Sequence, residues 1–264
     1  MLKLLVVCLA VMTGFFTPAY AHKIKFIQVS DVHLTKNHSQ HLEDFVTDVN
    51  MKFGDIDFIV FTGDNIDKPK EEDLYLFLKI IKDIKFTTYV LVGNHDLSKK
   101  HNLSCDKYMK LVRKKLGTYH SSKSNYVFKK GEIIFITMNG VKDTAPGSHG
   151  FYGKKEFLWL DKMLSEYPDK KVVILQHFPI LDTPIKSHSL YKKERYLKVL
   201  KKHNNVIAII SGHYHHDREE VCDDINHIVT KNFSNNRYYK LIEIENGFVH
   251  TKLIDNRHSA QETL

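Results

Sequence analysis

The sequence predicts one α/β domain, two mixed sheets with helices outside them, and three observations predict it. Short apolar runs rich in β-formers alternate with segments whose apolar residues recur at helical spacing. A hairpin pattern interrupts that alternation near the middle. No repeat, low-complexity tract or linker divides the 264 residues, so one substantial core is expected.

Taken in order, Ile24 to Val29 is the first strand-like run, and Leu42, Phe45, Val46, Val49 and Phe53 then mark one helical face. Asp57 to Thr62 reads as a buried strand. It precedes a helix whose apolar face is Leu74, Phe77, Leu78, Ile81 and Ile84. Thr87 to Val92 is a third strand, and Asp106 to Leu116 the next helix. Tyr126 to Phe128 and Glu132 to Thr137, separated by Lys-Lys-Gly, form the antiparallel hairpin. After the Ala145-Pro146-Gly147 loop, Phe157, Leu160 and Leu164 give another amphipathic helix. Lys171 to Leu175 and Val206 to Ile210 are core strands, and three more short strands are expected within Ile225 to Ile254.

Residues 1–21 are expected to be a cleaved secretory signal, leaving residues 22–264 as the domain. Lys3 supplies the positive start, residues 4–16 are apolar apart from Thr13 and Gly14, Pro18 breaks the run, and Ala19-Tyr20-Ala21 offers small residues to a peptidase. The run is shorter than the ~20 residues a spanning helix needs, so no transmembrane segment is expected after cleavage. The expected location is secreted or periplasmic. Cys105 and Cys222 remain, and the sequence leaves open whether they pair. Sequons at Asn37, Asn102 and Asn232 matter only in a eukaryotic secretory host.

The formal charge is +8, but the lysine pairs (Lys99-Lys100, Lys154-Lys155, Lys201-Lys202 among them) are dispersed. That favours a solvated surface over a nucleic-acid track, while a mild positive field still draws phosphates. No stable nucleic-acid partner is expected, and the oligomeric state is open. The 17 histidines point instead to metal chemistry.

Polar clusters follow five of the apolar strands: Asp31-Val32-His33, Gly63-Asp64-Asn65-Ile66-Asp67, Gly93-Asn94-His95-Asp96, Gln176-His177, and Gly212-His213-Tyr214-His215. Ligands of α/β sheets gather beyond the carboxyl ends of the strands, so clusters far apart in sequence converge on one crevice. Asp-x-His alone arises about once by chance in a chain this rich in His, whereas the ordered set is specific. Imidazole, carboxylate and amide donors without thiolate suit Mn, Fe or Zn rather than a structural zinc site.

This ordered signature, over residues 31 to 215, resembles the calcineurin-like metallophosphoesterases, and Lys155 to Asp161 is similar to the helix before their fourth motif. The resemblance implies a four-layer αββα sandwich. It implies that Asp31, His33 and His215 hold one metal, that Asn94, His177 and His213 hold a second, and that Asp64 bridges them. Two cations lower the pKa of a bridging water, bind phosphoryl oxygens and offset charge during in-line displacement. His95 is then expected as general acid, oriented by Asp96, or else as a hydrogen-bond donor to a substrate oxygen. Asn94 and His95 are the candidate substrate-binding residues. Asp67 is expected to buttress its loop by hydrogen bonding. His149 reads as a surface-loop residue, and Phe178 and Tyr214 as either core or substrate-packing groups.

Departures narrow the branch. Asp67 stands where purple acid phosphatases have Tyr; Asp67-Lys68-Pro69 and Asp96 differ from the protein Ser/Thr phosphatases; His95 stands where lipid A diacylglucosamine hydrolases have Arg. The remainder is similar to the small bacterial phosphodiesterases, including the cyclic-nucleotide branch. The expected function is an exported dinuclear-metal hydrolase of a small phosphate mono- or diester. The alternatives are a 3′,5′-cyclic-nucleotide phosphodiesterase, a nuclease, and a non-catalytic secreted metal-binding module.

Overall fold

The structure is a computed structural model that describes residues 23–117 and 123–257; the expected signal, residues 1–21, lies outside them. The chain runs β1 (Ile24–Val29), α1 (Gln40–Lys52), β2 (Phe58–Phe61), α2 (Glu71–Ile81), β3 (Thr88–Val90), α3 (Cys105–Leu116), β4 (Val127–Lys130) and β5 (Ile133–Met138). It continues α4 (Lys154–Glu166), β6 (Lys171–Gln176), α5 (Lys193–Leu200), β7 (Val206–Ser211), β8 (Arg218–Cys222), β9 (Ile225–Val229), β10 (Tyr238–Glu245) and β11 (Phe248–Asp255).

These strands form two mixed sheets, in orders β11-β10-β1-β2-β3 and β4-β5-β6-β7-β9-β8. In the first, β1, β2 and β3 are parallel and β10 and β11 antiparallel; in the second, β5, β6, β7 and β9 are parallel between antiparallel edges β4 and β8. Helices α1, α2 and α3 pack in sequence with one another, as do α4 and α5, so the expected αββα sandwich is the observed one.

The apolar runs are continuous because both faces of a central strand are covered. On β6, Val173 and Leu175 join the core between the sheets, whereas Val172 and Ile174 join the cluster with Leu160 and Leu164 of α4. Aromatic rings seam the sheets together. Phe26 stacks on Phe58 at 4.5 Å, and Phe135 meets Phe58 edge-on at 5.0 Å. Each such ring contributes ~2–3 kcal/mol by leaving water. Helix α3 starts one residue earlier than expected, at Cys105, because the Ser104 hydroxyl accepts from the Lys107 N–H at 3.3 Å.

Two elements escaped the sequence reading. Strand β8 is an edge strand of mostly charged, exposed residues, and α5 is eight residues long with only Tyr196, Val199 and Leu200 buried. Neither carries enough apolar periodicity to register. Among the described residues the two cysteines are free, Cys105 half-buried on α3 and Cys222 exposed at the end of β8. Of the sequons, Asn37 and Asn102 are exposed but Asn232 is buried, its amide donating to Ser234 Oγ at 2.7 Å.

Candidate metal centre

The five polar clusters leave β1, β2, β3, β6 and β7 at one end of the sandwich and are stitched to one another there. The Asp31 N–H donates to the Gly63 carbonyl at 3.1 Å, His33 N–H to Asp64 at 2.9 Å, and Gly212 N–H to His177 at 3.0 Å. Asp31, His33, Asp64, His213 and His215 all adopt left-handed backbone, with φ between 45° and 68°. That conformation costs a non-glycine residue roughly 1–2 kcal/mol, and concentrating it here turns side chains of successive residues inward. Two glycines permit the close approach. A Cβ on Gly93 would sit 2.2 Å from the Asp64 nitrogen, and one on Gly212 1.7 Å from Ser30 Oγ. Beneath the floor, buried Gln28 ties the sheets together, donating to Thr62 Oγ1 at 3.0 Å and to the Ser211 carbonyl at 2.8 Å.

The donor atoms meet in three groups. Asp31, His33 and His215 offer ligand atoms within 4.8 Å of one another, and so do Asp64, His177 and His213; His33, Asp64 and His95 form a third group that links these two. Asn94 Oδ1 joins the second group, 3.3 Å from His177 Nε2. Asp64 lies between the groups: its Oδ2 is 3.3 Å from His177 Nε2 and 3.8 Å from His33 Nε2. Each carboxylate has one oxygen tied down by a neighbouring loop, since the His213 N–H donates to Asp31 Oδ2 at 2.9 Å and the His95 N–H to Asp64 Oδ1 at 2.8 Å. The second oxygen of each is left facing the centre.

Carbonyls set the imidazoles. His177 Nδ1–H donates to the Thr62 carbonyl at 3.0 Å, leaving Nε2 for the centre; His213 Nε2–H donates to the Ser148 carbonyl at 2.8 Å, leaving Nδ1. The electrostatics show how strongly the Asp64 carboxylate draws positive charge to this end of the centre. Burial works against a charged His177, but the Asp64 carboxylate outweighs it and raises the imidazole to about 9. Asp64, despite its own burial, is held far below the usual carboxylate range by that same partner. Burial and the His177 charge press His213 down to about 3.

His95 stands exposed above the centre, its Nδ1–H donating to the Asp67 carbonyl at 2.8 Å and its ring 4.6 Å from that of His33. The Asp96 carboxylate, expected to orient it, is instead fully buried. Its Oδ1 accepts from the Asn65 N–H at 2.8 Å and the Ile66 N–H at 3.1 Å, and its Oδ2 from the Gly93 N–H at 2.7 Å and Asn65 Nδ2 at 3.1 Å. Successive residues of this tight turn point opposite ways, so Asp96 pins two loops together while the Asp67 carbonyl orients His95. The Asp67 side chain is half-buried, with Oδ1 3.8 Å from His33 Nδ1, and its N–H donates to the Leu34 carbonyl at 3.1 Å. Asn65, which also donates to Tyr108 Oη at 3.0 Å, went unremarked in the sequence although it sits inside the second motif. The Ser148 and Thr62 carbonyls leave no side-chain signal at all. Phe178 is core, packed on the His177 and His213 rings; Tyr214 donates to the Leu181 carbonyl at 2.7 Å and edges a cavity; His149 is exposed.

The donor set fits a pair of cations. Asp31 Oδ1 is buried and makes no directed hydrogen bond although His215 Nε2 is 3.2 Å away, and His33 Nε2 faces His215 Nε2 at 3.2 Å. At most one proton can sit between His33 Nε2 and His215 Nε2, so carboxylate oxygens and ring nitrogens brought this close call for positive charge among them. Two oxygens, four imidazoles and an amide suit borderline metals.

Comparison with known proteins agrees. A probable glycerophosphodiester phosphodiesterase of Arcobacter nitrofigilis is 26% identical over 203 residues, covering 72% of this chain and 71% of its own. A 3′,5′-cyclic-nucleotide phosphodiesterase of Nostoc sp. is 26% identical over 207 residues, covering 74% of this chain and 72% of its own. The crystal structure of a dimetal phosphatase from Danio rerio superposes with a TM-score of 0.65 at 15% identity, over 88% of this chain and 99% of that one, and so shares the fold. The protein is a metal-dependent phosphoric ester hydrolase. The family model for calcineurin-like phosphoesterases matches residues 24–217, and the chain belongs to that family.

Proposed function

We propose that this chain is an exported phosphodiesterase that hydrolyses small phosphate diesters at a pair of divalent or trivalent ions, Mn, Fe or Zn. The observation that carries the proposal is the convergence of donors from five strand ends around the buried Asp64 carboxylate, beside Asp31 Oδ1, a buried carboxylate oxygen without a directed hydrogen bond. Asp31, His33 and His215 would hold one ion, Asn94, His177 and His213 the other, with Asp64 shared. Such a pair, when bound, acidifies water and offsets phosphoryl charge.

The chain's own groups do the rest. The Asp67 carbonyl keeps His95 Nδ1 protonated, so Nε2 is the atom that delivers a second proton to the leaving oxygen. In balance, the water oxygen forms the new P–O bond, the bond to the leaving alcohol breaks, and that alcohol departs with the proton from Nε2. The proton that water sheds replaces it, and a phosphomonoester remains. Asn94, half-buried beside His95, is placed to contact a phosphoryl oxygen with the part of its amide that faces the cavity. The reading as a diesterase is supported by the named relatives. Export is supported by the Lys3-led apolar run and the Ala19-Tyr20-Ala21 site. Among the described residues no helix is long and apolar enough to cross a membrane.

The test is a panel of phosphomonoesters, linear diesters and cyclic nucleotides assayed with Mn, Fe and Zn. Metal-dependent diester hydrolysis, lowered by about 10²-fold or more in Asp64→Ala, supports the proposal. Full activity of that variant, or of wild type in chelator, rejects it.

A further inference from the structure

Lysines that stand apart in the sequence gather around one cavity at the end of the sandwich away from the metal centre. The cavity, about 460 Å³, lies where α2 and α3 finish and β3 begins. Lys82 and Lys85 line it from the turn after α2, and Lys114 and Lys115 from the last turn of α3. All four are exposed and none forms an ion pair among the described residues; Lys115 Nζ lies over the Tyr75 ring, 5.5 Å from its centre. Asp83, in the same turn, does not line the cavity. The pair Lys201 and Lys202, by contrast, is matched by Asp223 and Asp161. Basic residues suit helix C-termini, but each terminus carries only about half a negative charge, so two of them leave most of this positive charge unbalanced.

Below the charged rim the cavity is apolar. Ile81, Ile84, Phe86 and Leu116 make its floor, and Phe86 and Leu116 are only half-buried. A cationic rim over a mainly aliphatic floor matches an anionic amphiphile, with phosphate on the ammonium groups and hydrocarbon beneath them. Nucleic acid asks instead for a long track of charge or for aromatic faces on which bases stack.

The course of the chain turns the same end toward a bilayer. Strands β1, β2 and β3 are parallel, so Lys23 leads into β1 at this end, about 10 Å across the sheet from Thr87. The apolar run of residues 4–16 precedes the domain on this side. Met51, 63% exposed at the end of α1, adds apolar surface here. Its neighbour Asn50 ties α1 to the lysine turn, donating from Nδ2 to the Asp83 carbonyl at 2.8 Å and accepting from the Lys85 N–H at 2.9 Å.

We infer that the protein docks on an anionic phospholipid bilayer through this groove, with lipid phosphates on Lys82, Lys85, Lys114 and Lys115. The six residues of β1 span about 20 Å, and the metal centre at their far end then faces the solution. Docking of this kind holds the enzyme at a surface without occupying its site.

The test is co-sedimentation with vesicles of phosphatidylcholine, alone and with an equal share of phosphatidylglycerol, and the readout is the ratio of the two affinities. Each lysine near such a surface strengthens binding about fivefold, so wild type is expected to prefer the anionic vesicles by about 10²–10³-fold. In about 1 M salt, where the Debye length is about 3 Å, that preference should vanish. Replacing the four rim lysines together (Lys82→Gln, Lys85→Gln, Lys114→Gln, Lys115→Gln) should lower it at least about tenfold. Removing the same charge elsewhere (Lys154→Gln, Lys155→Gln, Lys201→Gln, Lys202→Gln) should lower it less than about threefold. Urea midpoints within about 0.3 M of one another keep a loss of binding distinct from a loss of fold. No preference for anionic vesicles, or equal losses in the two variants, overturns the inference. A single-stranded oligonucleotide that binds more tightly than the vesicles, and is released by the rim substitutions, overturns it in favour of nucleic acid.

Discussion

Asp96→Asn separates a loop-pinning carboxylate from a catalytic one. The buried carboxylate accepts four hydrogen bonds, two on each oxygen. An amide is isosteric, but whichever way it flips, its NH₂ faces two N–H donors that the lost oxygen had satisfied. Leaving two buried donors unpaired costs about 2–6 kcal/mol, a large share of the 5–15 kcal/mol typical of a domain. With a urea slope of about 3 kcal/mol/M, the unfolding midpoint should fall by about 0.7–2 M. The comparison belongs in chelator, where bound metal does not add its own stabilisation to either protein. A midpoint within about 0.3 M of wild type, together with a collapse of kcat, would refute the pinning role and restore Asp96 as the group that orients His95.

His95→Ala should slow hydrolysis of alkyl diesters by about 10²–10⁴-fold but cost p-nitrophenyl diesters far less, because p-nitrophenolate leaves without a proton; equal losses on both, read from kcat/KM, argue against proton delivery from Nε2. A pH effect is expected between the sheets, where Glu219 meets the buried Lys240 ammonium at 2.5 Å. Burial pushes the Glu219 carboxyl up, but the hydrogen bonds from Lys240 and Thr251 together with the Lys240 charge outweigh it and hold the group below its ordinary 4.5. A depressed folded pKa gives stability that is complete above the unfolded value and is lost as pH falls through the folded one. The urea midpoints of wild type and Glu219→Gln should therefore differ at pH 7 and converge below pH 4.5; a gap that widens on acidification contradicts the assignment.

Much of the fold was legible because central parallel strands are buried on both faces, and runs such as Ile24 to Val29 and Val206 to Ile210 announce themselves by composition. The candidate site was legible for a related reason. Its side chains follow strand ends directly, so chain order and topology together place them at one end of the sandwich. Side-chain direction within a turn was not legible: His95 and Asp96 are neighbours in sequence, yet one is exposed and the other buried among amides. Backbone partners were equally invisible, since the Ser148, Thr62 and Asp67 carbonyls that set three imidazoles would be offered by any residue type. The lysine groove was hidden for the same kind of reason: Lys82 and Lys85 follow α2, Lys114 and Lys115 end α3, and nothing in the chain order brings them to one cavity.

Metal stoichiometry tests the central claim most directly. Purified protein equilibrated with Mn, Fe or Zn and freed of loose ions should retain about two ions per chain by elemental analysis, and Asp64→Ala about one or fewer. Wild type that retains none, or an Asp64→Ala protein that still holds two, would contradict a centre built around that shared carboxylate.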